Sequence, residues 1–354
     1  MSTVPRPESH PESHPENQPE NQPENQPENQ SESLTLAEVS ARARAVLAEV
    51  DRVVLGKEQP LRLVLAGVLA GGHVLLEDLP GLGKTLAARS LARALGLDFA
   101  RAQFTPDLLP ADLTGSFVYD PRASSFSFRQ GPLFTQLLLA DEINRTPPKT
   151  QAALLEAMQE RQVTIEGETF ALPAPFHVLA TANPIEQEGT YPLPEAQLDR
   201  FLLRVSFGYP ARSEEEQLVT ARLDRRREEV DVATVVDADG LLALQQRVEA
   251  VAVDPSIVAY CVALVTATRE HPDLLTGASP RGSLALALVG RALALVSGRD
   301  YVVPEDVKEA AEAVLAHRLV LRPELWMSEA SPQRVVRDLL ARVPAPAGQP
   351  GAVG

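Results

Sequence analysis

The chain has 354 residues, 44% of them hydrophobic and 23% charged, the balance of a soluble protein with room for two domains and their cores. Its formal charge of −15 is unevenly shared, since residues 1–33 hold seven Glu and one Arg, which leaves −9 on the remainder. An acidic remainder weighs against broad attraction to a phosphate backbone, and so against nucleic acid as the main partner.

Residues 7–30 are six tandem four-residue units, Pro-Glu-Ser-His twice and then Pro-Glu-Asn-Gln four times, without an aliphatic or aromatic side chain. Such a segment has no apolar area to offset its ordering entropy, so residues 1–33 are expected to form a disordered tail rather than a metal-binding pair at His10 and His14. No basic stretch followed by an apolar one opens the chain, which argues against a secretory signal. The longest apolar run, residues 63–76, is interrupted by Gly71-Gly72-His73 and falls short of the roughly 20 residues that cross a bilayer. A cytoplasmic protein with no membrane span is expected.

Helical periodicity begins at Leu34, with Leu36, Val39, Ala43, Val46, Leu47 and Val50 on one face, and a second helix is predicted near residues 60–70. His73-Val74-Leu75-Leu76-Glu77 reads as a short buried strand, followed by a Gly-rich turn and a helix over 86–95. Further apolar runs at 99–103, 137–140, 176–181 and 202–205 alternate with helical segments, the pattern of a parallel sheet flanked by helices. Beyond Pro210 strand signals all but vanish, and helices are predicted over 213–228, 239–250, 255–271, 280–297, 304–318 and 332–342. Ser213-Glu214-Glu215-Glu216 reads as a capping box, and Pro304 with Glu305 and Asp306 as a helix start. The fold class is thus an α/β parallel-sheet domain over 34–209, then a smaller helical domain over 210–343, with a flexible tail over 344–354. The lone cysteine, Cys261, falls in an apolar helical pattern, excludes an internal disulfide and reads as a core residue.

The turn after the first strand, Pro80-Gly81-Leu82-Gly83-Lys84-Thr85, has the pattern of a phosphate-binding loop. Its backbone N–H groups and the following helix N-terminus cradle phosphates, Lys84 reaches the terminal ones, and Thr85 ligates Mg²⁺. The general pattern has a glycine five places before Gly83, where this chain has Asp78; its carboxylate must then point away from the phosphates. The apolar strand Leu137-Leu138-Leu139-Ala140 runs into Asp141 and Glu142, 57 and 58 residues after Lys84, at the sheet edge where α/β proteins bind ligands. Asp141 is suited to the Mg²⁺ shell and Glu142 to polarising the attacking water as general base. Asn183, ending another strand, can orient that water.

Two arginines are candidates for neutralising charge on the γ-phosphate. Arg281 starts a helix of the second domain, from which it could reach the nucleotide across the domain cleft. Arg200, near the end of the first domain, could be supplied to a neighbouring subunit as a finger, which requires an oligomer. Each could equally be a surface ion-pair residue. A head-to-tail contact repeated by rotation closes into a ring.

These residues, with Gln103-Phe104-Thr105-Pro106-Asp107-Leu108-Leu109-Pro110, Ile143-Asn144-Arg145-Thr146-Pro147-Pro148-Lys149-Thr150-Gln151, Leu154-Leu155-Glu156-Ala157-Met158-Gln159-Glu160-Arg161-Gln162-Val163 and Tyr191-Pro192-Leu193-Pro194-Glu195-Ala196-Gln197-Leu198-Asp199-Arg200-Phe201, resemble an AAA+ ATPase of the MoxR group over about residues 36–343. The resemblance implies ATP and Mg²⁺ as cofactors, residues 80–85 as Walker A and 137–142 as Walker B. It makes Asn183 sensor 1, Arg200 the arginine finger and Arg281 sensor 2, and places Val54-Leu55-Gly56-Lys57 near the adenine. It also implies an insertion at about 115–130 and a hairpin at about 162–175, both facing a ring's central surface. Such proteins are described as chaperone-like remodellers that form hexamers and work with partners carrying von Willebrand factor A domains. Related AAA+ proteins use the same hairpins on DNA, but here the first holds only Arg122 and Arg129 and the second no basic residue. The ATPase subunit of a metal-inserting chelatase is a further alternative.

Overall fold

The computed structural model describes residues 35–184, 189–226, 230–325 and 328–346. The predicted tails therefore lie outside the described residues, apart from 344–346. The first helix, α1 (Leu36–Asp51), starts where Thr35 and Glu38 cap one another: the Thr35 hydroxyl accepts from the Glu38 N–H, and the Glu38 carboxylate accepts from the Thr35 N–H. Its buried face is Val39, Ala43, Val46 and Val50, and the next helix, α2 (Glu58–Leu69), is buried almost throughout from Leu61 onward.

The chain then builds β1 (Val74–Glu77), α3 (Lys84–Ala94), β2 (Phe99–Gln103), α4 (Pro110–Thr114) and a hairpin of β3 (Gly115–Asp120) and β4 (Ser125–Gln130). It continues through β5 (Leu137–Asp141), α5 (Pro148–Glu160), a second hairpin of β6 (Gln162–Ile165) and β7 (Glu168–Ala171), β8 (His177–Ala182), α6 (Glu195–Leu198) and β9 (Leu203–Val205). One five-stranded sheet runs in the order β2-β5-β8-β1-β9, every pair parallel. Inner strands β5 and β8 are buried at every residue, as the near-continuous apolar runs require, whereas edge strand β2 buries only Ala102 fully. The order brings the C-terminal ends of β1, β8 and β5 side by side. The two hairpins meet through aromatic rings, with Phe128 stacked on Phe170 at 4.3 Å between centroids.

Beyond residue 210 come α7 (Arg212–Arg225), α8 (Ala238–Glu249), α9 (Pro255–Arg269), β10 (Leu274–Thr276), α10 (Pro280–Val296), α11 (Pro304–Leu315), β11 (Val320–Leu321) and α12 (Pro332–Arg342). All six helices fall where periodicity places them, although residues 227–228 of the first predicted span lie outside the described residues. The antiparallel pair β10 and β11 is a departure: these strands are three and two residues long, too short to leave a periodic signal. The start of α7 also differs, because Glu214 caps the backbone N–H of Ala211 rather than a box opening at Ser213. Cys261 is buried in α9, and burial pushes its thiol up to about 11, as a core residue requires. These helices close on the sheet domain through contacts such as Arg62 to Glu309 at 2.8 Å and Gln245 to the carbonyl of Val68 at 2.8 Å.

Candidate functional site

The turn between β1 and α3 is shaped by Gly81 and Gly83, at φ +82° and +85°. A Cβ on either would meet nothing within 4 Å, so glycine is needed for the left-handed backbone, and the concave side of the loop is open. Lys84 opens α3 and its Nζ lies 2.5 Å from the backbone carbonyl of Asp78. Burial lowers the pKa of Lys84, against the opposing pull of Asp78, Asp141, Glu142 and Glu77. A cavity of about 350 Å³ is lined by Pro80, Gly81, Gly83, Lys84, Thr85, Asp141, Glu142, Thr181 and Asn183, together with Leu86 and Ala182. The P-loop, the acidic pair and the strand-end amide thus converge on one space.

Asp78 is buried and turned away from that space. Its Oδ2 accepts from the N–H groups of Phe207 and Gly208 at 2.6 and 2.7 Å and from the Ser206 hydroxyl at 3.2 Å, while Oδ1 accepts from the N–H of Leu79. Buried Lys57 holds the same segment from the other side, donating to the carbonyls of Phe207 and Gly208. Asp78 therefore anchors the base of the loop to the segment after β9, and it needs no left-handed backbone to do so.

On the β5 edge, Asp141 Oδ1 accepts from the Thr181 hydroxyl at 2.6 Å, and its Oδ2 is paired with Arg101 at 2.6 Å. Glu142, at φ +59°, sits in left-handed backbone, strain of the kind that concentrates at functional sites. Its N–H donates to Thr181 Oγ1, and its carboxylate accepts from the Gln103 side-chain amide at 2.8 Å, with Arg145 at 3.4 Å.

The arginines are elsewhere. Arg200 and Arg281 line a separate cavity of about 330 Å³ beside Gly71, Gly72 and His73, and neither lines the P-loop cavity. Arg281 Nη1 lies 3.8 Å from Asp199 Oδ2, on the side of the lid that faces Arg200. Gly56 is likewise outside the P-loop cavity: it faces Glu214, whose Oε2 would be 2.3 Å from a Cβ there.

A model of the ATPase family associated with various cellular activities (AAA) matches residues 73–203, and one of the AAA lid domain matches residues 266–339. Over 319 residues the chain is 45% identical to Chaperone MoxR1 of Mycobacterium tuberculosis, covering 88% of this chain and 84% of that one. The chain belongs to the MoxR family of AAA+ ATPases. It is also 47% identical over 298 residues to the uncharacterized protein YeaC of Bacillus subtilis, covering 84% of this chain and 92% of that one. A solved structure from Cytophaga hutchinsonii superposes with a TM-score of 0.82 at 40% identity, covering 88% of this chain and 97% of that one.

In this MoxR protein three side chains of the site escape a reading of the sequence alone: Thr181, Gln103 and Arg101. None of the three is assigned a role by the motifs themselves. Register brings them in, because Gln103 on β2 stands opposite Asp141 on β5, and Ala180 on β8 stands opposite Ala140. The run beginning at Gln103 carries the family resemblance without revealing which atom it holds.

Proposed function

We propose that this MoxR protein hydrolyses ATP with Mg²⁺ at sites completed between copies in a ring, by family likeness a hexamer. Turnover there drives remodelling or assembly of a protein partner, a protein with a von Willebrand factor A domain being the expected class. The observation that carries the reading is the separation of two sets of residues. Lys84, Thr85, Asp141, Glu142 and Asn183 line one cavity, while Arg200 and Arg281 line another. A transition state gathering charge on the γ-phosphate needs a cation there, and a second copy can bring one.

The open loop and its neighbours suit the nucleotide: the backbone N–H groups and Lys84 would hold the phosphates, and Thr85 with Asp141 would hold the metal. Bound Mg²⁺ supplies neutralisation of phosphate charge. Glu142 takes the proton of the attacking water, and Asn183 orients that water from the other side. The remodelling role rests on the family, one of whose members is named a chaperone.

Three variants test this. Glu142→Gln should retain bound ATP without turning it over, and Lys84→Ala should lose nucleotide binding. Arg200→Ala should bind ATP normally yet lose turnover by about 10³-fold or more. Mixing Arg200→Ala with Glu142→Gln should then restore activity, because a Glu142 from one protomer meets an Arg200 from the other. An Arg200→Ala protein that hydrolyses ATP at the normal rate, or whose loss is not regained on mixing, would sink the proposal.

A further inference from the structure

The cavity that holds Arg200 and Arg281 is strongly cationic on a protein of net charge −15. Four arginines line it, Arg161, Arg200, Arg281 and Arg318, against the single carboxylate of Asp199. That carboxylate is already occupied. Its Oδ1 pairs with buried Arg318 at 2.7 Å, its Oδ2 accepts from the Ser279 hydroxyl at 3.2 Å, and Arg281 approaches only to 3.8 Å. Arg161 and Arg200 have no side-chain hydrogen bond or ion pair among the described residues. The excess positive charge is thus left facing the open side of the cavity.

Arg161 is the member with no assigned role, and its backbone says why it is unusual. It ends α5 in left-handed conformation, φ +53° and ψ +29°, with its N–H donating to the carbonyl of Ala157. At that position after a helix, glycine is the residue that chain geometry favours, and a long side chain is held there at a cost. The side chain is exposed, so burial of apolar area is not what holds it there. What the strained backbone achieves is direction: it turns Arg161 into the space shared by Arg200 and Arg281.

We propose that Arg161 is a third arginine of this set, contacting phosphate oxygens of the nucleotide bound at the P-loop of the adjoining copy. The proposal rests on the reading that Arg200 acts across an interface. Three guanidinium groups, each able to donate in a planar fork, match the several oxygens of a triphosphate better than one finger does. Arg318 is excluded from the set because its donors are spent within the chain on Asp199 and on the carbonyls of Phe201 and Leu202.

Arg161→Gly is the informative variant, because glycine suits the backbone there. Its melting temperature should be unchanged or higher, which separates a loss of turnover from a loss of fold. Its turnover should fall at least tenfold and rise well above that of either parent when mixed with Glu142→Gln. Arg161→Gln, of similar length, should show the same loss and the same recovery. Turnover within twofold of wild type in both variants would overturn the proposal. So would a loss that mixing does not repair while that of Arg200→Ala is repaired. If Arg200→Ala itself is not repaired, the interface reading fails and this proposal falls with it.

Discussion

Four hydrogen bonds converge on the Asp78 carboxylate, from Leu79, Ser206, Phe207 and Gly208. Substituting the glycine of the general P-loop pattern would remove both acceptor oxygens, break all four bonds and leave the buried N–H of Phe207 without a partner. Asp78→Gly is therefore expected to destabilise the fold by about 3 kcal/mol in a urea titration, the cost of orphaning buried donors of a charge-assisted network. Asp78→Asn, which keeps an acceptor oxygen, should lose less. A neutral or stabilising Asp78→Gly would show that the anchor is dispensable. A second residue-scale expectation concerns Arg101, whose guanidinium pairs with Oδ2 of Asp141, the carboxylate proposed to help hold the metal. Arg101→Gln should lower the Mg²⁺ concentration that half-saturates ATP turnover; an unchanged or raised value would mean the pair does not compete with the ion. Motifs such as Gly81 to Thr85 were legible because their chemistry is local. Asp78's partners at Ser206, Phe207 and Gly208, some 130 residues away, were not.

Between elements, the joint that matters is the one around Arg318. This side chain, 3% exposed, lies just after α11 and binds Asp199, the carbonyls of Phe201 and Leu202, and the carbonyl of Val314. It fastens the helical lid to the segment that bears Arg200. Arg318→Met should cost about 3–5 kcal/mol, because it leaves the Asp199 charge and several carbonyls without their buried partner. Limited proteolysis would show whether the lid loosens first, and a denaturation midpoint equal to wild type would count against the joint. Lid helices were readable from apolar periodicity and from starts such as Pro255, Pro280 and Pro304, each in the first turn of its helix. Their docking was not. Whether Arg281 faces its own P-loop or the Arg200 cavity depends on how α10 rests against the sheet domain, which no local pattern encodes. Strands β10 and β11 were missed for a related reason, since each exists only by pairing with a partner more than forty residues away. Nor does the pair Glu160-Arg161 carry the glycine that announces a left-handed helix end.

For the molecule as a whole, pH should act through buried histidines rather than through the surface carboxylates. His73 accepts from the N–H of Val178 at Nδ1, so its Nε2 carries the proton given to the carbonyl of Met158. His177 donates from Nδ1 to the carbonyl of Gly72, so its Nε2 is the acceptor facing the Gln245 amide. Both rings are satisfied only when neutral; a second proton would set donor against donor in a dry interior. Burial accordingly pushes His73 down to about 3 and His177 down to about 4, and it lowers His317 as well. In the unfolded chain these groups titrate near 6.5, so between about pH 6.5 and 4 unfolding takes up protons that the fold refuses. The contribution to stability is complete above pH 6.5 and is lost as pH falls through that window. By linkage each ring costs about 1.4 kcal/mol per pH unit there, so stability should drop by several kcal/mol between pH 7 and pH 5. Because Gln245 and Gly72 hold β8 to α2 and the lid, this loss should appear as one cooperative transition moving to lower temperature. His177→Gln should flatten the slope by about one proton. A melting temperature that stays level from pH 7 to pH 5 would mean that the three rings are protonated, or exposed to water, in the folded protein.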